Sequence, residues 1–126
     1  GYNPPVHILF LDDDEYRHIA VKLDTRRIAH AQLVAVRTVD EAIGYIDAMK
    51  FDLILLDHDL DGQVFVPSGP GTGYEVAEYI PGSINADTRV IVHTMNEAGA
   101  RKMLQAIGPT ASWVPFPKLS DILLRL

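Results

Sequence analysis

Three short segments of this chain put acidic, imidazole and hydroxyl groups directly after apolar runs. Asp12-Asp13-Asp14 follows Val6-His-Ile-Leu-Phe-Leu11, Asp57-His58-Asp59 follows Phe51-Asp-Leu-Ile-Leu-Leu56, and His93-Thr94-Met95-Asn96 follows Arg89-Val-Ile-Val92. Lys118 comes after a weaker run, Ala111-Ser-Trp-Val114. Asp12, Asp13, Asp57 and Asp59 would repel one another without a cation. Oxygen ligands of this kind suit Mg2+, a hard ion that keeps several waters and meets phosphate oxygens, with Mn2+ as the alternative. Thr94 has a hydroxyl to donate to a phosphoryl oxygen, and the Lys118 ammonium can neutralise phosphate charge. His58 and His93 carry imidazoles, whose ordinary pKa suits proton transfer near neutrality. One could activate water while the other protonates a leaving oxygen.

Each of these residues also has a plainer use. One aspartate of the triple caps a helix, Thr94 or Asn96 caps another, Lys118 lies on the surface, and a histidine at a strand end is held in hydrogen bonds. Capping explains neither Asp57 nor Asp59. A divalent-ion site with Asp12, Asp13, Asp57 and Asp59 as ligands is therefore expected, with Asp57, His58, His93, Thr94 and Lys118 as the catalytic set. His7, His18 and His30 read as strand-start and helix-surface residues without a role.

The elements that position these groups alternate. Strands are expected at 6–11, 32–36, 51–56, 89–92 and 111–114. A nearly continuous apolar run is what a strand buried on both faces looks like. The first helix is expected from an Asp13 or Asp14 cap to about residue 30, with Ile19, Leu23 and Ile28 toward the core. Thr38-Val-Asp-Glu41 has capping-box spacing and opens a helix to Met49, with Ala42, Ile43, Ile46 and Met49 on one stripe. Further helices are expected at 72–80, stopped by Pro81-Gly82, at 97–107, and from a Ser120 cap to Leu126. Residues 60–71, rich in glycine and proline, form a loop over the strand ends. Within it Val64-Phe65-Val66 is either a lid or a contact surface. The alternation βαβαβαβαβα implies a single α/β domain with a parallel sheet between two helix layers. In such sheets ligands bind outside the carboxyl ends of the strands.

Composition narrows the partners. A net charge of −6 over 126 residues argues against non-specific nucleic-acid binding through a basic face, but not against a small nucleotide held by a metal. The chain has no cysteine, which excludes thiolate chemistry and fits a reducing, cytoplasmic setting. No apolar run approaches the ~20 residues of a membrane span. The start of the chain, Tyr2-Asn-Pro-Pro5, has no secretory-leader pattern.

The acidic pair Asp12-Asp13, then Asp57, Thr94 and Lys118, each after successive strands, resembles the receiver domain of two-component signalling over nearly the whole chain. The resemblance implies a flavodoxin-like three-layer sandwich with a five-stranded parallel sheet in the order 2-1-3-4-5. It also implies a Mg2+ site and a phosphoacceptor role for Asp57. Asp57-His58-Asp59-Leu60 with Thr72-Gly73, and His93-Thr94-Met95-Asn96, are similar to a divergent branch, the cyclic-phosphate-processing receiver-like domains. That branch implies action on cyclic phosphates of nucleotides or RNA ends. Other readings stay open. The chain could be a stand-alone switch phosphorylated on Asp57 that signals through the face of helix 97–107. A phosphatase of the haloacid-dehalogenase type would use Asp12 as nucleophile and Asp14 as acid, but that family generally adds an acidic pair after strand four, where this chain has His93-Thr94. A silent binding module would be indifferent to loss of Asp57.

Overall fold

The computed structural model describes residues 4–60, 62 and 65–126. Five parallel strands, β1 (Val6–Leu11), β2 (Ala31–Val36), β3 (Leu53–Leu56), β4 (Arg89–Val92) and β5 (Ala111–Trp113), form one sheet in the order β2-β1-β3-β4-β5. The helices are α1 (Glu15–Thr25), α2 (Val39–Ala48), α3 (Gly73–Tyr79), α4 (Glu97–Ile107) and α5 (Leu119–Leu123). Single 3-10 turns at Ile80–Gly82 and Phe116–Lys118 follow α3 and precede α5. None of these helices is long and apolar enough to cross a membrane.

Alternation along the strands sorts the core into two layers. Ile8, Phe10, Leu53, Leu55 and Ile91 pack with Val21 of α1 and with Leu119 and Leu123 of α5. Leu9, Leu11, Ile54, Leu56, Val90 and Val92 face the opposite way, toward α2, α3 and α4. All four residues of β3 are buried, as a central parallel strand covered by helices on both faces requires. Removing one such side chain, as in Ile54→Ala, typically costs about 2–5 kcal/mol.

The expected helix starts hold where a side chain caps them. Asp14 accepts from the Arg17 N–H, Thr38 from the Glu41 N–H, and Asn96 from the Gly99 N–H. Three expectations need correction. Helix α1 ends at Thr25, short of residue 30, and the chain turns through His30 at φ +64°. Its buried residues are His18, Val21 and Thr25, whereas Ile19 and Leu23 are about half exposed. The phase of α1 is set by polar contacts at its start, as described below. The final helix begins at Leu119, so Ser120 lies inside it and caps nothing.

Candidate functional site

The sheet ladder continues one residue past β1, β3 and β4. The Asp12 N–H donates to Val36 O, the Asp57 N–H to Leu11 O, and the His93 N–H to Leu56 O. Leu11, Leu56 and Val92 are in register, so Asp12, Asp57 and His93 form the next row across the sheet. Alternation turns all three toward the α1/α5 layer, beside Phe10. They are buried, and ligand atoms of the three lie within 4.8 Å of one another.

A cleft of about 350 Å3 opens over this row, lined by Asp12, Asp13, Asp14, Arg17, Asp57, Asp59, Gly62, Phe65, Thr94 and Met95. The two buried carboxylates differ. Asp12 Oδ1 accepts from the Asp14 N–H at 2.9 Å; Oδ2 meets His93 Nε2 at 2.9 Å and Arg17 at 3.3 Å. Burial would raise its pKa, but the His93 hydrogen bond, the Asp14 amide and Arg17 outweigh it and hold the carboxyl below its ordinary value. Asp57 has less support. Its Oδ1 accepts the His58 N–H at 2.9 Å, while Arg17 stands 3.7 Å from Oδ2. Burial first, then the charge of Asp12, push it up from 3.8 to about 7, against the opposing pull of Arg17.

His93 is buried against Phe10 and Phe116, with ring centroids 5.2 and 5.8 Å away. That apolar burial lowers its pKa despite Asp12, so the ring is neutral and donates Nε2–H to the carboxylate. Its Nδ1 is buried without a hydrogen-bond partner. Thr94 is buried at the cleft wall, where its hydroxyl accepts the Asn96 N–H at 3.0 Å. The Trp113 indole N–H donates to Thr94 O at 2.8 Å and ties β5 to this corner. At the rim Asp13 Oδ2 accepts the Gly62 N–H.

Three of the expected catalytic residues do not line the cleft: His93, buried beside Asp12 in the row, and His58 and Lys118, which lie farther off. His58 is one residue beyond Asp57, so alternation sends it through the sheet to the α4 side. There its Nδ1 meets Asp59 Oδ1 at 2.6 Å and its Nε2 meets Ser68 Oγ at 2.8 Å. The ring is fully buried, does not line the cleft, and fits only because residue 99 is glycine. A Cβ on Gly99 would lie 2.6 Å from the ring. Asp59 does line the cleft, but both its oxygens are engaged, Oδ1 by His58 and Asn96 and Oδ2 by the Phe65 N–H at 2.7 Å. These bonds outweigh burial and hold it below the ordinary carboxylate range. Lys118 is exposed on the turn before α5 and does not line the cleft.

The cation beside the carboxylates is Arg17. Its guanidinium reaches Asp12 and Asp57 and lies 4.8 Å over the Phe116 ring. Sequence reading missed it, although its place three residues past the Asp14 cap was a usable signal. His18 was also misjudged: it is buried, and its Nε2 lies 2.7 Å from Asp12 O. Arg17 and His18 together fix the phase of α1. That is why Ile19 and Leu23 face outward.

The sheet order and the acidic row at the carboxyl ends of β1 and β3 define a receiver-type fold. Residues 7–108 match the model of the cyclic-phosphate-processing receiver domain, and the chain belongs to that family. Solved structures agree on the fold. The receiver domain of a sensor histidine kinase from Pseudomonas aeruginosa, with magnesium coordinated in its active-site cleft, superimposes with a TM-score of 0.73 at 22% identity, covering 96% of each chain. A response regulator from Burkholderia pseudomallei, with a phosphorylated aspartate, calcium and citrate, gives 0.71 at 19% identity, covering 94% of this chain and 66% of that one. The receiver domain of a response regulator from Mycobacterium tuberculosis gives 0.73 at 18%, covering 98% and 93%. No curated protein matches the sequence significantly.

Proposed function

We propose that the cleft binds a divalent cation, Mg2+ or alternatively Mn2+, through Asp12, Asp13 and Asp57, and processes the cyclic phosphate of a nucleotide or RNA end. The observation that carries this reading is the strained pair at its floor. Asp12 and Asp57 are buried together, and Asp57 is pushed up to about 7 by desolvation and by its neighbour's charge. A divalent cation relieves that conflict, and an all-carboxylate oxygen set suits Mg2+. When bound, the cation supplies charge neutralisation and a polarised water.

The chain's own residues supply the rest. Neutral His93 donates to Asp12 and fixes the carboxylate's orientation. Arg17 faces the phosphate charge, the role first given to Lys118, and Thr94 keeps its own O–H proton for a phosphate oxygen. In hydrolysis a water oxygen bonds to phosphorus and one ring P–O bond breaks. The water's proton passes to a cleft carboxylate, and the leaving oxygen takes one from solvent. Cyclic phosphate as substrate is supported by the family to which residues 7–108 belong.

One observation favours a second reading. His58 faces away from the cleft and His93 is buried against Asp12 without lining it, so neither imidazole of the two-imidazole scheme faces the cleft. A phosphoacceptor switch needs no such pair. Asp57 would attack an acyl phosphate, forming an O–P bond as the donor's P–O bond breaks, and would signal to a protein partner through the α4 face.

Incubation with Mg2+ and a 2′,3′-cyclic nucleotide, followed by phosphorus NMR, separates these readings. Ring opening that Asp57→Asn loses supports the enzyme. An aspartyl-phosphate signal with a small acyl-phosphate donor, without ring opening, supports the switch.

A further inference from the structure

We propose that Phe65 and Met95 form a base-stacking platform at the mouth of the cleft, taking the aromatic ring of a nucleotide whose phosphate lies at Asp57 and Arg17. This rests on the phosphate reading above and adds the other half of the ligand.

The cleft changes character from floor to mouth. Its floor is carboxylate and guanidinium, whereas at its mouth Phe65 is 67% and Met95 51% exposed. Large apolar side chains left open beside a charged floor match a ligand with one flat apolar end and one anionic end. A nucleotide has that form. A volume of about 350 Å3 is also more than a cation and one phosphate fill, and lies in the range of small-molecule sites.

Phe65 is held at the mouth by polar bonds. Its backbone is in the left-handed region at φ +54°, rare for a residue other than glycine, asparagine or aspartate. The Phe65 N–H donates to Asp59 Oδ2, Asn96 Nδ2 donates to Val66 O at 3.1 Å, and Ser68 Oγ meets His58 Nε2. Asp59, Asn96 and His58 are bonded to one another, so one network presents the ring. Of the expected Val64-Phe65-Val66 surface, Val64 lies outside the described residues. An aromatic face accepts any base, because every base has a π-face.

Affinity in the presence of Mg2+ tests this with three probes: inorganic phosphate, ribose 3-phosphate and adenosine 3′-monophosphate. All three should bind, and the adenosine compound should bind roughly tenfold tighter than the base-free sugar phosphate. Phe65→Ala should erase that preference while leaving ribose phosphate and inorganic phosphate unchanged. Phe65→Trp should keep it and show base-dependent fluorescence quenching. Equal affinities in the native protein, or a preference that survives Phe65→Ala, would overturn the platform alone. Failure of inorganic phosphate to bind would overturn the phosphate reading and the platform with it. A trinucleotide ending in a 3′-phosphate distinguishes a polymer end from a free nucleotide. Affinity within about threefold of the mononucleotide fits one stacked base, and a gain beyond tenfold overturns a single platform.

Discussion

Asp57 and His58 are consecutive, both buried, and opposite in every other respect. Asp57 turns toward α1, where its nearest charges are another carboxylate and one arginine, and it is left electrostatically strained. His58 turns toward α4, where each ring nitrogen has a side-chain partner. The pair teaches how to separate a candidate site from its scaffold when both are polar and buried. A buried group with unmet charge is a candidate for binding a ligand. A buried group whose bonds are complete is holding something in place.

The largest effect should come from the strained side. Asp57→Asn should reduce any cation-dependent phosphate chemistry by at least ~100-fold, since the amide neither neutralises a cation nor attacks phosphorus. The same change should stabilise the fold. In the folded state Asp57 holds its proton up to about pH 7, while in the unfolded chain it releases it near 3.8. Stability from this group is therefore lost as pH rises between those values and stays lost above them. At pH 8 the variant should gain roughly 1–3 kcal/mol in chemical denaturation. A less stable variant would mean Asp57 is not strained.

The satisfied side should respond in reverse. His58→Ala removes the side-chain partner of Ser68 and one of the bonds to Asp59, whose oxygens keep Asn96 and the Phe65 N–H, and should cost about 1–3 kcal/mol. Its affinity for the cation should stay within about twofold of the native protein, because His58 does not face Asp57. Titration calorimetry with Mg2+ measures this; a large loss of cation affinity would place His58 in the site after all.

Gly99 sharpens the point. Gly99→Ala puts a Cβ 2.6 Å from the imidazole and should destabilise the native protein. In the His58→Ala background the ring is gone, and the same change should add helix propensity worth up to ~1 kcal/mol. The sign reversal in a double-mutant cycle is the signature expected. Additive effects would show that Gly99 and His58 are not coupled.

The division between the two sides was only partly legible in the sequence. Apolar runs ending in Asp12, Asp57 and His93 disclosed the strands, their order of use and the edge where the site lies. They did not disclose the sides. Leu53-Ile-Leu-Leu56 is apolar throughout because helices cover both faces of β3, so no polar alternation marks which way Asp57 and His58 turn. Arg17 was hidden for a related reason. Its reach depends on the phase of α1, and that phase follows from Arg17 and His18 bonding Asp12, against the apolar pattern of Ile19 and Leu23. Gly99 is contiguous with His58 only in space.

The smallest effect should also be the most specific to the strained side. Cation binding requires Asp57 ionised, and a proton competes for the same oxygens. For a carboxyl titrating at about 7, the ionised fraction rises roughly tenfold from pH 6 to pH 8. Mg2+ affinity should rise by about that factor over this interval, with close to one proton released per ion bound at pH 6. Arg17 decides how steep the response is. Its charge pulls the Asp57 pKa down while repelling the incoming ion, so Arg17→Ala should move the midpoint upward and raise the plateau affinity at high pH. An affinity flat from pH 6 to 8 would mean that Asp57 is already ionised in the free protein. The contrast between the two consecutive residues would then be one of orientation and not of charge.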